Sequence, residues 1–141
     1  MQTIESIIIG GGPCGLSAAI EQKKKGIETL VIEKGNVVES IYNYPTHQTF
    51  FSSSDKLSIG DIPFIVEDSK PRRNQALVYY REVVKHHQLN IHPFEEVLTV
   101  KKINNKSYCP YESTLVTGQE FNSIYLVIPM LTGKHHGCIA I

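Results

Sequence analysis

The chain begins with an apolar strand pattern, an amphipathic helix pattern and a second apolar strand pattern. Residues 4–9 include three consecutive isoleucines, and this β-branched run predicts a short buried strand. Residues 13–25 carry apolar side chains at the i, i+3, i+4 spacing of one helix face. Residues 28–33 predict a second buried strand. This order within about 30 residues indicates a βαβ unit with parallel strands and a right-handed crossover.

A long irregular segment separates this unit from a second amphipathic helix. Residues 35–73 hold three prolines and five aromatic side chains, which is typical of a ligand-wrapping loop with short helical turns rather than a linker. Residues 74–87 return to helical spacing, and residues 90–92 predict a third strand. The alternating pattern beyond them predicts a β-meander. Its strands are expected near residues 96–103, 112–117 and 123–128.

These elements predict an α/β fold, in which a Rossmann-like βαβ unit with a parallel sheet carries a β-meander. The composition is 41% hydrophobic and 20% charged with a formal net charge of zero. It argues against nucleic acid or an anionic membrane as partner, because both require a basic excess. No apolar run reaches the about 18 residues of a membrane span. Three distant cysteines without a CxxC motif predict a reduced, cytoplasmic protein.

The turn between the first strand and the first helix carries a GxGxxG motif. Gly10 allows a tight turn, Gly12 lets a pyrophosphate approach the backbone, and Gly15 lets the helix lie close to the sheet. Pro13 suits the first helical position. Glu33 ends the second strand, 23 residues after Gly10, where a carboxylate can accept hydrogen bonds from both ribose hydroxyls. This context predicts a dinucleotide site, although a glycine motif alone can simply join a strand to a helix.

Longer strings of the sequence resemble a known family. The string GGGPCG, with the acid and lysine that close the second strand, resembles the FAD-binding half of flavoproteins such as the thioredoxin reductases. The stretch VIEKGNVV…IYNYPTHQTFFSSS…LSIGDIPF and the following ALVYYREVV resemble the bacillithiol-disulfide reductase family. This resemblance covers residues 1–100. It implies a reductase that uses FAD and NADPH on a low-molecular-weight thiol disulfide, and it leaves a homo-oligomer open.

The resemblance also implies cofactor contacts at particular residues. The glycine turn corresponds to the pyrophosphate loop, and Glu33 with Lys34 to the contacts of the adenosine ribose. The segment from Tyr44 to Phe51 corresponds to the region near the isoalloxazine ring, and the backbone of Val97 to a position facing the adenine. His47 could equally be a loop histidine bonded to nearby backbone. The candidate cofactor-binding residues are Gly10, Gly12, Pro13, Cys14, Gly15, Glu33, Lys34, His47, Gln48, Thr49 and Val97.

Cys14 is the candidate catalytic residue. The N–H groups and the dipole at the start of the helix would lower the pKa of its thiol, which favours a redox role beside the cofactor. In the alternative interpretation, the cysteine takes the place of an alanine as a small residue against the pyrophosphate, far from the flavin ring. The sequence leaves both interpretations open.

The end of the chain departs from the family pattern. A complete member carries a second GxGxxG for NADPH and a final FAD segment, and neither occurs in this sequence. Residues 1–141 are therefore expected to form a single, truncated N-terminal FAD-binding domain, with residues 124–141 as a divergent tail. His135, His136 and Cys138 lie in this tail and are not expected to bind a metal. The alternatives are a non-catalytic nucleotide-binding remnant and a flavin monooxygenase-like oxidoreductase, which shares the glycine motif.

Overall fold

A computed structural model of the chain describes residues 4–98 and six further strand segments, 101–103, 106–109, 111–112, 119–121, 123–126 and 139–140. The helices are α1 (Pro13–Lys24), α2 (Glu39–Tyr42), α3 (Ser54–Leu57) and α4 (Arg73–His86). The strands are β1 (Ser6–Ile9), β2 (Thr29–Glu33), β3 (Ile91–Pro93), β4 (Glu96–Val97), β5 (Lys101–Ile103), β6 (Lys106–Cys109), β7 (Tyr111–Glu112), β8 (Gln119–Phe121), β9 (Ser123–Leu126) and β10 (Ile139–Ala140).

Five strands form the main sheet in the order β10-β9-β1-β2-β3. β1 runs parallel to both β2 and β9, β2 runs parallel to β3, and β10 runs antiparallel to β9. Successive parallel strands need a long crossover, which α1 supplies between β1 and β2, and α4 between β2 and β3. The chain leaves β1 on one side and returns to its other side as β9. The carboxyl end of β1 is therefore a topological switch point, where α/β proteins bind ligands.

The central strands are buried on both faces, which confirms the two buried strands that the apolar runs predict. On one face, Ile8 and Val31 form a buried cluster with Ala19 of α1. The opposite face holds a cluster of Ile7, Leu30 and Ile32, against which Val97 packs. Because both faces are covered, these strands are continuous apolar runs rather than alternating patterns.

The predicted faces of α1 and α4 pack together. Leu16 and Ile20 of α1 lie in one buried cluster with Tyr80 and Val83 of α4, each at most 1% exposed. The predicted short helical turns of the segment 35–73 are present as α2 and α3, and this segment contributes further buried side chains to the cluster. The long loop is therefore part of the core rather than a linker.

An antiparallel three-stranded sheet of order β5-β6-β8 is present where the sequence predicts a β-meander, but its strands are not the ones expected. The strand expected at 123–128 is β9, and it joins the main sheet beside β1. The strand expected at 96–103 divides into β4, which pairs with β7, and β5, which belongs to a separate antiparallel sheet of order β5-β6-β8. The sequence pattern missed β6 and β8. Local alternation indicates an extended backbone but not its partner, and β6 (KSYC) carries little alternation. Of the strand expected at 112–117, residues 113–117 lie outside the described residues.

A two-residue turn at Gly60 and Asp61 is held by α4. Both residues have positive φ, 65° and 59°, and Ile59 and Ile62 bridge across them, which is the geometry of a type I′ hairpin turn. The hydroxyl of Tyr79 accepts a hydrogen bond from the Ile59 N–H at 2.8 Å and donates one to the Ile62 carbonyl at 2.7 Å. One side chain of α4 thus hydrogen-bonds the backbone on both sides of the turn.

Replacing Tyr79 with phenylalanine is expected to lower the free energy of unfolding by about 1–3 kcal/mol, because the Ile59 N–H loses its acceptor. The ring, which stacks on Phe64 at 4.2 Å, stays in place. Urea denaturation of Tyr79→Phe measures the effect, with Tyr42→Phe as control, since Tyr42 is 44% exposed. Equal midpoints for the two variants would contradict the role assigned to the hydroxyl.

Candidate dinucleotide-binding site

The glycine turn after β1 has the geometry that its three motif glycines predict. Gly10 has φ 108°, a conformation that strongly favours glycine. A Cβ added to Gly15 would lie 1.9 Å from the Gly10 carbonyl oxygen, so α1 begins in direct contact with the turn. A Cβ added to Gly12 would meet no described atom within 4 Å. The turn is therefore tight at Gly10, closely packed at Gly15 and open at Gly12.

The start of α1 faces this open position. Gly12 is the N-cap residue, with an extended backbone, and Pro13 occupies the first turn. The first turn carries no acidic residue. The N–H groups of the first turn and the positive end of a 12-residue helix favour an anion here. The space at Gly12 and these donors together fit a pyrophosphate, and so fit the dinucleotide that the sequence predicts.

Glu33 connects the end of β2 to the glycine turn. Its side chain is 7% exposed. One carboxylate oxygen accepts a hydrogen bond from the Gly11 N–H at 2.6 Å, and the other accepts one from the Gly35 N–H at 2.9 Å. The acid predicted for the ribose thus lies beside the predicted pyrophosphate site, with a fixed orientation. Lys34, the other predicted ribose contact, is exposed.

The segment after β2 is also attached to the glycine turn. The Val38 N–H donates a hydrogen bond to the Gly11 carbonyl at 3.0 Å. Val38 is fully buried with φ 56°, which is unusual for a β-branched residue. Next to it, Glu39 accepts hydrogen bonds from the Asn36 N–H at 2.7 Å and the Asn43 side chain at 3.2 Å. The bond from the Asn36 N–H is the main cause that lowers the pKa of Glu39, so the carboxylate stays ionised at neutral pH.

The predicted flavin-side residues lie at the start of α4. The Arg73 N–H donates a hydrogen bond to the Gln48 carbonyl at 2.8 Å, and Thr49 forms a bridge with Arg72. His47 and Thr49 are exposed, and Gln48 is half-buried. The structure therefore links Glu33 directly to the glycine turn, whereas Gln48 and Thr49 are attached to the start of α4 and His47 precedes them as an exposed residue.

Cys14 is the second residue of α1 and is half-buried. Burial raises the pKa of the Tyr80 hydroxyl, and smaller contributions come from Tyr79, Cys14 and Tyr44 in that order. Cys14 directly follows Pro13 at the start of α1, beside the glycine turn.

The chain after β3 passes the end of β2. The Phe94 N–H donates to the Gly35 carbonyl at 3.2 Å, and the Glu95 N–H donates to the Glu33 carbonyl at 3.0 Å. Val97, two residues further on, is half-buried. Sequence reasoning missed Phe94, which is 68% exposed with φ 61°, because phenylalanine gives no signal for this conformation.

Sequence reasoning also missed two other site residues. Gly11 stands at a variable position of the motif, so its bond with Glu33 had no signal beyond the run of three glycines. In the sequence, Arg73 stands with Lys70 and Arg72 in a short basic stretch, and nothing there distinguishes it from the other two. Its contacts appear only when α4 meets the loop.

The described part of the chain offers neither a metal-binding cluster nor a membrane-spanning helix. It contains no group of three His, Cys, Asp or Glu side chains that could hold a metal ion. None of its helices is long and apolar enough to cross a membrane. Residues 127–138, which include His135, His136 and Cys138 of the predicted tail, lie outside the described residues.

The described residues combine a parallel sheet, a glycine turn at its switch point, a helix N-terminus and an acid at the end of β2. This combination defines a dinucleotide-binding domain of the Rossmann type. Residues 7–117 match the family of pyridine nucleotide-disulphide oxidoreductases, and the chain belongs to this family.

Three relatives are similar in sequence. Bacilliredoxin reductase Bdr of Bacillus subtilis is 76% identical over 81 residues, 57% of this chain and 25% of that protein. The structure of bacillithiol disulfide reductase Bdr (YpdA) from Staphylococcus aureus is 74% identical with a TM-score of 0.86, over 92% of this chain and 39% of that one. The Bacillus cereus structure is 52% identical with a TM-score of 0.83, over 89% and 39%. The resemblance to bacillithiol-disulfide reductases is thus confirmed, although the chain spans at most 39% of these relatives.

Proposed function

We propose that this chain is the FAD-binding part of an NADPH-dependent flavoprotein that reduces a low-molecular-weight thiol disulfide of the bacillithiol type. The observation that carries the proposal is the 74% identity over 92% of the chain to a bacillithiol disulfide reductase. The site supports it independently, because the open position at Gly12 and the acid Glu33 suit a dinucleotide. The flavin monooxygenase alternative has only the glycine motif and a shared fold in its favour, because flavin monooxygenase structures match this fold at 18% identity.

In this proposal, different parts of the site bind different parts of FAD. The turn from Gly10 to Gly15 and the N-terminus of α1 bind the pyrophosphate. Glu33 and Lys34 contact the adenosine ribose, and the backbone of Val97 faces the adenine. The loop with His47, Gln48 and Thr49 flanks the isoalloxazine ring. The chemistry that FAD would supply when bound is acceptance of a hydride from NADPH and transfer of two electrons to the disulfide, which takes up two protons to give two thiols.

The domain assignment is part of the same proposal. Residues 1–141 correspond to one FAD-binding unit with a divergent tail at 124–141. The sequence holds a single GxGxxG. In this proposal, the NADPH-binding site and the final FAD-binding segment therefore lie in the part of the relatives that this chain does not span. We expect the 141-residue chain to bind FAD without oxidising NADPH. A cytoplasmic location fits this chemistry, because thiols are kept reduced there.

An FAD titration of the purified chain, followed by flavin fluorescence, tests the proposal. Gly12→Asp is the matched variant, since aspartate is a good N-cap residue and its side chain enters open space. Its charge would nevertheless oppose a phosphate. We expect quenching in the wild type and none in Gly12→Asp, with equal thermal stability. A wild-type chain that leaves the fluorescence unchanged would favour the non-catalytic remnant.

We further propose a redox role for the thiol of Cys14, the candidate catalytic residue, and replacing Cys14 with alanine tests it. In a full-length relative that carries this cysteine, Cys14→Ala is expected to abolish disulfide reduction. Oxidation of NADPH by an artificial electron acceptor should continue, because the alanine fits the position and leaves the cofactor contacts intact. Stopped-flow absorbance of the flavin and a thiol assay separate the two activities. Unchanged disulfide reduction in Cys14→Ala would remove the thiol from the mechanism and leave it as a packing residue.

A further inference from the structure

The loop that follows α2 is attached at both of its ends to one residue, Arg73. Two guanidinium nitrogens of Arg73 donate to the carbonyl of Tyr42, Nε at 3.1 Å and Nη2 at 2.5 Å. The same guanidinium lies 5.3 Å from the centre of the Tyr42 ring. The backbone N–H of Arg73 donates to the carbonyl of Gln48 at 2.8 Å. The segment from Tyr42 to Gln48 is therefore a loop closed on the first residue of α4.

The position of Arg73 does not favour the helix itself. A cation at the N-terminus of a helix is disfavoured by the helix dipole. Arg73 is the first residue of α4, and the first turn of this helix holds no acidic residue. The neighbouring Arg72 reaches Asp68 at 3.6 Å, with both side chains exposed. Nη1 of Arg73 donates to the Asn74 side chain at 3.0 Å, but the other two guanidinium donors both bind the Tyr42 carbonyl, so the main contacts of this side chain lie outside α4.

The far end of α2 is attached to the glycine turn. Val38, the N-cap residue of α2, donates its N–H to the Gly11 carbonyl, and Tyr42 is the last residue of the same helix. Val38 thus fixes the start of α2 to the predicted pyrophosphate site, while Arg73 fixes its end to α4. Removing the guanidinium would release the Tyr42 end of the loop, while the backbone bond to Gln48 and the contacts of Gly11 and Glu33 remain.

We propose that Arg73 is a positioning residue, which holds the segment from Tyr42 to Gln48 so that its polar side chains flank the isoalloxazine ring. This inference rests on the proposed function for the presence of the ring. A lysine cannot replace the arginine, because an ammonium group is a point donor, whereas the guanidinium is a planar fork that places two nitrogens on one carbonyl. The adenosine half of the site should be independent of Arg73.

Arg73→Lys and its matched control Arg72→Lys, made in the 141-residue chain, test this role. Amide hydrogen exchange across residues 43–48 is measured without cofactor. We expect exchange in Arg73→Lys to be about tenfold faster or more, the equivalent of losing one hydrogen bond to a charged group. ADP affinity should stay unchanged, while the fluorescence and visible circular dichroism of bound FAD should shift. Arg72→Lys should behave as wild type in every measurement.

Two results would overturn the inference. Exchange rates in Arg73→Lys equal to those of Arg72→Lys would show that the guanidinium does not hold the loop. Faster exchange with identical flavin signals would show that the held loop does not flank the ring. A failure of the proposed function is distinguishable from both, because the wild type would then not bind FAD, while the exchange measurement, made without cofactor, still decides whether Arg73 holds the loop.

Discussion

Gly15→Ala is expected to destabilise the chain by about 3 kcal/mol or more, at or above the upper end of what overpacking usually costs. The added methyl group would lie 1.9 Å from the Gly10 carbonyl oxygen and 3.4 Å from the Ile8 side chain. The first of these is a backbone atom, so relief requires α1 to move away from β1. That movement would pull Leu16 and Ile20 of α1 out of the buried cluster they share with α4, so the variant is expected to lose cooperative unfolding. Urea denaturation followed by far-ultraviolet circular dichroism measures this.

Gly12→Ala provides the matched control, with the same methyl group added three residues earlier. No described atom lies within 4 Å of the new Cβ, and the backbone at Gly12 is extended. We expect its free energy of unfolding to remain within about 1 kcal/mol of wild type, the small difference reflecting the N-cap preference. Equal stabilities of the two alanine variants would contradict the close contact of α1 with the turn.

Glu33→Ala is expected to cost about 3 kcal/mol or more in stability and to abolish dinucleotide binding. The carboxylate accepts hydrogen bonds from the Gly11 and Gly35 N–H groups while it is 7% exposed, and a hydrogen bond to a charged group contributes about 1.5–3 kcal/mol. Both N–H groups would lose this partner at once. Chemical denaturation and an ADP titration measure the two effects.

A conservative variant of Glu33 and a control at a nearby exposed acid test this role. Glu33→Gln keeps one carbonyl acceptor, so its stability should fall between those of wild type and Glu33→Ala. Glu28→Ala removes an exposed acid just before the same strand and should change neither stability nor binding. If Glu33→Ala were as stable as Glu28→Ala, the buried carboxylate would not connect β2 to the glycine turn.

The sequence predicts those parts of the fold and site that depend on local spacing. The helix expected at 13–25 is α1, and the one expected at 74–87 is α4, because each apolar face recurs with the helical period. The motif spacing also predicts that Gly10 needs an unusual backbone and that Gly15 leaves no room for a side chain. Each of these requirements involves residues within a few positions of one another.

Features that depend on distant partners could not be predicted in this way. The pattern of β9 indicates a strand, but its place beside β1 depends on residues more than 100 positions earlier in the chain. The hydroxyl of Tyr79 and the guanidinium of Arg73 act on carbonyl groups 17 and 31 positions away. The left-handed backbone of Val38 is imposed by its buried position against the glycine turn, whereas its own preference opposes it.

The two backbone bonds of Glu33 bear on which nucleotide this turn can accept. An ionised carboxylate has about four lone-pair sites, so two remain for the hydroxyls of a ribose. A nucleotide would therefore meet an acceptor that is already oriented. We expect the same rigidity to disfavour a ribose that carries a 2′-phosphate, because the buried acid is held in place by its two backbone bonds and cannot turn away from a second negative charge. In that case the protein would select against NADPH at this turn before any cofactor is bound.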